Sequence, residues 1–199
     1  LSPSSAASDV YKRQELYIPD QSGEEFEYIV NNRSMNNTMY NEIAVCDNIF
    51  LFVNPSKISN DLFIKDLAPE YRNVSQEKVS ALDNSIMHEQ TQYVSILQDV
   101  YALRKCRTKI KIVISAWDEY ETEMSPSELL KNRLPLLWQY LTANYEIYEC
   151  EYWGISAQGG DLTNQEEKEK LQGMSNAIER IIVVNDNKQV THDISILLK

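Results

Sequence analysis

The chain has 199 residues, 43% of them hydrophobic, with three tryptophans, twelve tyrosines and a formal net charge of −11. That length fits one domain with a real core, and the charge disfavours nucleic acid and anionic membrane surfaces, both of which need a basic face to displace counterions. No apolar run is long enough to span a bilayer, no signal-peptide hydrophobic region lies near Leu1, and the three cysteines lack CxxC spacing, so the sequence reads as a soluble cytoplasmic domain with buried free thiols.

Residues 1–8 are small and polar without an apolar period. Asp9-Val10-Tyr11-Lys12-Arg13-Gln14 resembles the translated remnant of a transposase sequencing adapter seen in metagenomic assemblies. Residues 1–14 are therefore set aside as a processing scar, the alternative being a disordered native leader. Residues 15–19 predict a short strand that delivers Asp20. Residues 48–53, a continuous apolar run, predict a second. Residues 54–84, with Pro55, Pro69 and many charges, predict an insertion with some structure of its own.

Ile86, Val94, Leu97 and Tyr101 recur at helical spacing. Residues 109–114 turn solidly apolar and β-branched in their second half, as a central strand buried on both faces should. Ser125-Pro126-Ser127-Glu128 is a capping box with proline at the first helical position, and Pro135 restarts that helix because an interior proline loses a hydrogen bond and clashes. Residues 145–155 predict a further strand. Thr163-Asn164-Gln165-Glu166 predicts a second capping box before a solvated helix, followed by a strand at 181–184 and an Asn/Asp turn at 185–187. Asp193 caps an apolar helix that is cut off after its first turns. Strands alternating with helices predict an α/β fold with a mostly parallel sheet and helices on both faces, here an internal fragment of a larger protein.

Three short segments fall in one order, each after a strand: Asp20-Gln21-Ser22-Gly23, Ser115-Ala116-Trp117-Asp118 and Ser156-Ala157-Gln158-Gly159. They resemble the DxxG, NKxD and SAxG motifs of Ras-like P-loop GTPases, whose loops meet the nucleotide at the carboxyl ends of the strands. None of the five glycines opens a GxxxxGK[ST] phosphate loop. The domain is thus expected to be truncated upstream of Glu15. The closest resemblance, over residues 15–199, is to the double-GTPase type of TRAFAC-like domain found in bacterial conflict and defence operons. It is carried by Gly23-Glu24, Trp117-Asp118, Leu134-Pro135-Leu136 and Thr191-His192-Asp193-Ile194.

The resemblance implies a GTP-binding switch with Mg²⁺-dependent hydrolysis in the full-length protein and an inactive fragment here. In it Asp20 reaches Mg²⁺ directly or through water, the Gly23 N–H contacts the γ-phosphate, and Glu24 stands where Ras-like enzymes carry the water-orienting glutamine. Asp118 accepts two N–H bonds from the guanine edge, which adenine cannot donate. Ser115 and Ala116 depart from the family's Asn and Lys, and Trp117 is expected to supply apolar or stacking contact instead. Ser156, Ala157 and Gln158 form the loop whose backbone approaches the base.

Each segment alone also suits an ordinary turn after a strand. Two other functions stay open: a pseudo-GTPase kept for protein binding, and an unrelated flavodoxin- or receiver-like module. His88 and His192 read as helix-surface and helix-entry residues, and Glu24-Glu25 and Glu166-Glu167 as solvated surface.

Overall fold

A computed structural model describes residues 23–56, 58, 89–120 and 123–198. The predicted strand at 15–19, Asp20, His88 and most of the 54–84 insertion lie outside the described residues. Two helices come first, α1 (Gly23–Asn32) and α2 (Asn37–Val45), the latter capped by Asn36, whose side chain accepts the Met39 N–H. They precede β1 (Asn48–Val53), α3 (Glu89–Arg104) and β2 (Thr108–Ser115). A 3-10 turn (Trp117–Glu119) leads to α4 (Pro126–Arg133), α5 (Pro135–Ala143) and β3 (Tyr148–Ser156). The chain then forms α6 (Gln165–Gln172), a 3-10 turn (Ala177–Arg180), β4 (Ile182–Asn185), β5 (Val190–Thr191) and a final 3-10 turn (Ile194–Leu198).

The sheet runs β1-β2-β3-β4-β5. β1, β2 and β3 are mutually parallel, while β4 and β5 form an antiparallel hairpin added to the β3 edge. Period-two alternation sorts the strands onto two faces. On the first, Ile110, Ile112 and Ile114 of β2 lie beside Ile49, Leu51 and Val53 of β1 and pack under Leu97 of α3, Leu129 and Leu130 of α4, and Leu137 and Leu141 of α5. Burial of each such side chain stabilises the fold by roughly 1.5–3 kcal/mol.

On the second face Val113, Ile155 and Val183 pack under Leu197. Lys111, 3% exposed, joins them there. Its ammonium donates to the Leu197 carbonyl at 2.7 Å and ion-pairs with Glu151 at 3.4 Å, so a buried cation fastens the final turn to the sheet. Helical elements thus lie on both faces, three α-helices on one and, among the described residues, this 3-10 turn on the other.

The capping box forms as written: Ser125 Oγ accepts the Glu128 N–H and Glu128 Oε2 accepts the Ser125 N–H. That backbone bond, with Lys188 nearby, holds the Glu128 carboxyl below its ordinary range. Leu134 ends α4 and Pro135 opens α5, as the proline requires. Other expectations shift. β3 starts at Tyr148 because residues 144–147 turn back on the end of α5, with the Ile147 and Tyr148 N–H groups both donating to Asn144 O. The cap of α6 is Asn164, which accepts the Glu166 and Glu167 N–H groups, and not Thr163, whose hydroxyl and N–H are engaged by Asp161. Tyr101 is 38% exposed and stands off the core stripe of α3, which runs through Leu97 and Val100. All three cysteines are free; Cys106 is exposed, being in the turn between α3 and β2. Asp193 precedes a 3-10 turn rather than an α-helix. His192 places Nδ1 2.6 Å from Ile181 O, tying β5 to the start of β4. Among the described residues no helix is long and apolar enough to cross a membrane.

Candidate functional site

Parallel register aligns the carboxyl ends of the three central strands. Val53 pairs with Ile114, and Ser115 with Ile155, so the loops after β1, β2 and β3 leave one edge of the sheet together. This brings Ser115, Trp117, Asp118, Ser156, Ala157 and Gln158 to a common rim. Gly23 opens α1, whose first amides are unpaired donors by helix geometry. The helix is bound to α3 through Arg33, which ion-pairs with Asp99 at 2.9 Å and donates to Ser95 Oγ. Asp20, the expected metal ligand, and the side chain of Glu24 fall outside what the structure describes. Among the described residues no three acidic, histidine or cysteine side chains cluster as a metal site.

The first residues of the loop after β2 are tightly held. Ser115 Oγ donates to Val53 O at 3.2 Å, locking the end of β2 to β1. Ala116 then takes a left-handed conformation, φ 53° and ψ 46°, which turns the chain sharply into the 3-10 turn. For a residue with a Cβ this costs about 1–2 kcal/mol. Ala116→Gly is accordingly expected to raise stability by about 0.5–1 kcal/mol, after the larger backbone entropy that glycine loses is subtracted; the shift of the urea midpoint checks it.

Trp117 corrects an expectation. Its side chain is 8% exposed and belongs to the first-face core, where it packs with Tyr120 at 6.1 Å between ring centroids. The ring lies against Gly154 of β3 so closely that a Cβ there would sit 2.3 Å from its Cδ2 and Cε3 atoms. The indole is turned away from the rim, so stacking on a base is not what this position offers. Burial also keeps the Tyr120 phenol above its ordinary pKa. Asp118, the next residue, is half-buried and its carboxylate has no hydrogen-bond or ion-pair partner among the described residues. Glu119 is exposed, and its Oε2 accepts from Ser56 Oγ, 2.6 Å away on the loop after β1.

The loop after β3 is built differently. Ser156 is buried, and its Oγ accepts the Gly159 N–H at 2.7 Å, closing a tight turn that leaves Ala157 and Gln158 exposed at its tip. Gly159 has φ +76°, and a Cβ there would meet Arg180 O at 2.3 Å, so only glycine serves. Glu167, expected as solvated surface, reaches back from α6 to accept the Asp161 N–H at 2.7 Å and secures the loop's far end. The sequence signal for Glu167 was a helix first turn, which favours a carboxylate on free N–H groups without saying which. Ser56 and Glu119 carried no signal, because their pairing crosses 63 residues.

A separate open cavity of about 580 Å³ lies between the start of α4 and the β4–β5 hairpin, lined by Glu123, Glu128, Lys131, Asn132 and Lys188. It takes in the far end of the loop after β2, at Glu123, but none of Ser115, Trp117, Asp118, Ser156, Ala157 and Gln158.

A parallel β1-β2-β3 core with its polar loops gathered at the strand carboxyl ends defines an α/β domain of the P-loop GTPase-like class. Residues 6–199 match the model of the double-GTPase 1 family, DO-GTPase1, and the chain belongs to that family. The match takes in residues 6–14, part of the leader set aside above. The chain is thus a GTPase-like domain of a class that binds guanine nucleotide with Mg²⁺. No curated protein and no solved structure matches it.

Proposed function

We propose that this chain is the base-selecting part of a GTP-binding switch, and that the full-length protein hydrolyses GTP with Mg²⁺. The observation that supports it most is the state of Asp118: a half-buried carboxylate without a partner among the described residues, on a turn whose neighbours are anchored, at the rim formed by three parallel strands. Such a carboxylate is available to a ligand offering two N–H donors in a row, each a charge-assisted hydrogen bond. Guanine presents those donors on its N1 and exocyclic amino group. Adenine does not, so its binding would leave the carboxylate desolvated and unpaired.

In this reading Ala157 and Gln158 offer backbone to the base at the tip of a turn that Ser156 and Gly159 shape. Ser115 acts through the β1–β2 lock, and Trp117 through the fixed course of the turn. Asp20 holds Mg²⁺, the Gly23 N–H meets the γ-phosphate at the opening of α1, and Glu24 orients the attacking water; these three roles rest on the family resemblance, as does service in a bacterial defence system. Mg²⁺, when bound, would neutralise charge developing on the transferred phosphoryl group. This chain, which contains no GxxxxGK[ST] segment, is expected to bind guanine nucleotide without turning it over.

Ligand-observed NMR titration of the chain with GTP, GDP, ATP and ADP tests this. Preference for both guanine nucleotides supports the reading, and equal affinity for the two bases removes Asp118 from the site. The pseudo-GTPase alternative draws on one observation: the Ser115 hydroxyl, where the family carries asparagine, is engaged with Val53 O. Absence of binding by all four nucleotides would favour it.

A further inference from the structure

We infer that Ser56 is a positioning residue for base selection: through Glu119 it fixes the turn that presents Asp118. This rests on the guanine-nucleotide reading above. Three consecutive residues of a 3-10 turn point their side chains about 120° apart, since such a turn has about three residues. Two of the three directions here are taken. Trp117 is wedged inward against Gly154, and Glu119 is drawn sideways to the loop after β1, where its Oε2 lies 2.6 Å from Ser56 Oγ. The direction that remains belongs to Asp118.

Ser56 is itself held for this task. Its N–H donates to Asn54 Oδ1 at 3.2 Å, and its hydroxyl, 2.7 Å from the same oxygen, faces the Glu119 carboxylate as the charged of its two acceptors. Asn54 directly follows β1, whose last residue, Val53, accepts from Ser115 Oγ. The loop after β1 is therefore joined to both ends of the Asp118 turn, before Ala116 through Ser115 and after Asp118 through Glu119. Without the Ser56 contact, Glu119 is free to swing beside Asp118, where a second carboxylate would disfavour the charged form that accepts the guanine donors. The hydrogen bonds that keep the turn closed, Glu119 N–H to Ala116 O at 3.0 Å and Tyr120 N–H to Trp117 O at 3.1 Å, are the local gauge of whether it is held.

The test compares the parent chain with Ser56→Ala and Ser56→Thr by amide hydrogen exchange, thermal unfolding and NMR titration with GDP and ADP. Ser56→Ala is expected to speed exchange at the Glu119 and Tyr120 amides and to lower the GDP-to-ADP affinity ratio, each by about fivefold, the loss of one hydrogen bond of ordinary net strength. The unfolding temperature should fall by no more than about 2–4 °C, the shift that one such bond implies, and Ser56→Thr, which keeps the hydroxyl, should restore both quantities. Unchanged exchange in Ser56→Ala overturns the inference, as does an unchanged affinity ratio in a parent that prefers GDP. A parent with no preference for GDP overturns the guanine reading instead, and the base-selecting role of Ser56 falls with it.

Discussion

Trp117→Ala is expected to destabilise the chain by about 3–5 kcal/mol, the cost of deleting a large aromatic side chain from a packed core. A tryptophan in a loop at a nucleotide rim would ordinarily cost far less to remove, within about half a kcal/mol for a surface site. The difference follows from where the indole goes: it is 8% exposed, shares a core with Leu129, Leu130 and Val184, and rests on the bare backbone of Gly154. Gly154→Ala should cost about 1–3 kcal/mol for the converse reason, since its new methyl would overlap the ring. The two changes should not add. Once the indole is gone, the methyl at 154 meets open space, so the double variant should be clearly more stable than the sum of the single costs implies. Urea denaturation of the four proteins measures this cycle, and strictly additive costs would show that the ring and the glycine are not in contact.

Asp118→Asn is expected to lower affinity for GDP by roughly 10²-fold while leaving the fold intact, as two charge-assisted hydrogen bonds are exchanged for one neutral acceptor facing a donor–donor edge. The carboxamide brings its own N–H, so it suits a base carrying a carbonyl where guanine carries its amino group. Affinity for xanthosine diphosphate should therefore rise as that for GDP falls. Unchanged unfolding temperature separates this result from damage to the turn, and the absence of a partner for Asp118 among the described residues leads us to expect that. If GDP affinity held in Asp118→Asn, base recognition would have to lie elsewhere on the rim.

The two predictions fall on adjacent residues that the sequence could not tell apart. Trp117 and Asp118 stood together as a candidate pair for the base, and only their placement divides them, one into the core and one to the rim. Strand β1 was legible to the residue, because six consecutive apolar or strand-compatible residues bounded by Asp47 and Asn54-Pro55 leave little choice. The α4 capping box and the restart at Pro135 were equally plain, both being rules of local geometry. β3 begins three residues later than the strand propensity of Tyr145 and Ile147 implies, because the turn closing on Asn144 overrides that propensity.

What the sequence by itself determined is whatever depends on neighbours along the chain: helix caps, strand runs, the glycines and small residues of the loops, and the pattern over residues 6–199 that matches the double-GTPase family. What only the tertiary structure decided is whatever depends on neighbours across the sheet. The parallel register brings three loops to one rim, Gly154 makes a seat for Trp117, and Lys111, an exposed residue by alternation alone, is buried under the carbonyl of Leu197. The Ser56–Glu119 contact belongs to the same set. Side-chain periodicity tells which face of a strand a residue takes, but what covers that face is fixed by packing between segments distant in the chain, and such packing leaves no local pattern to read.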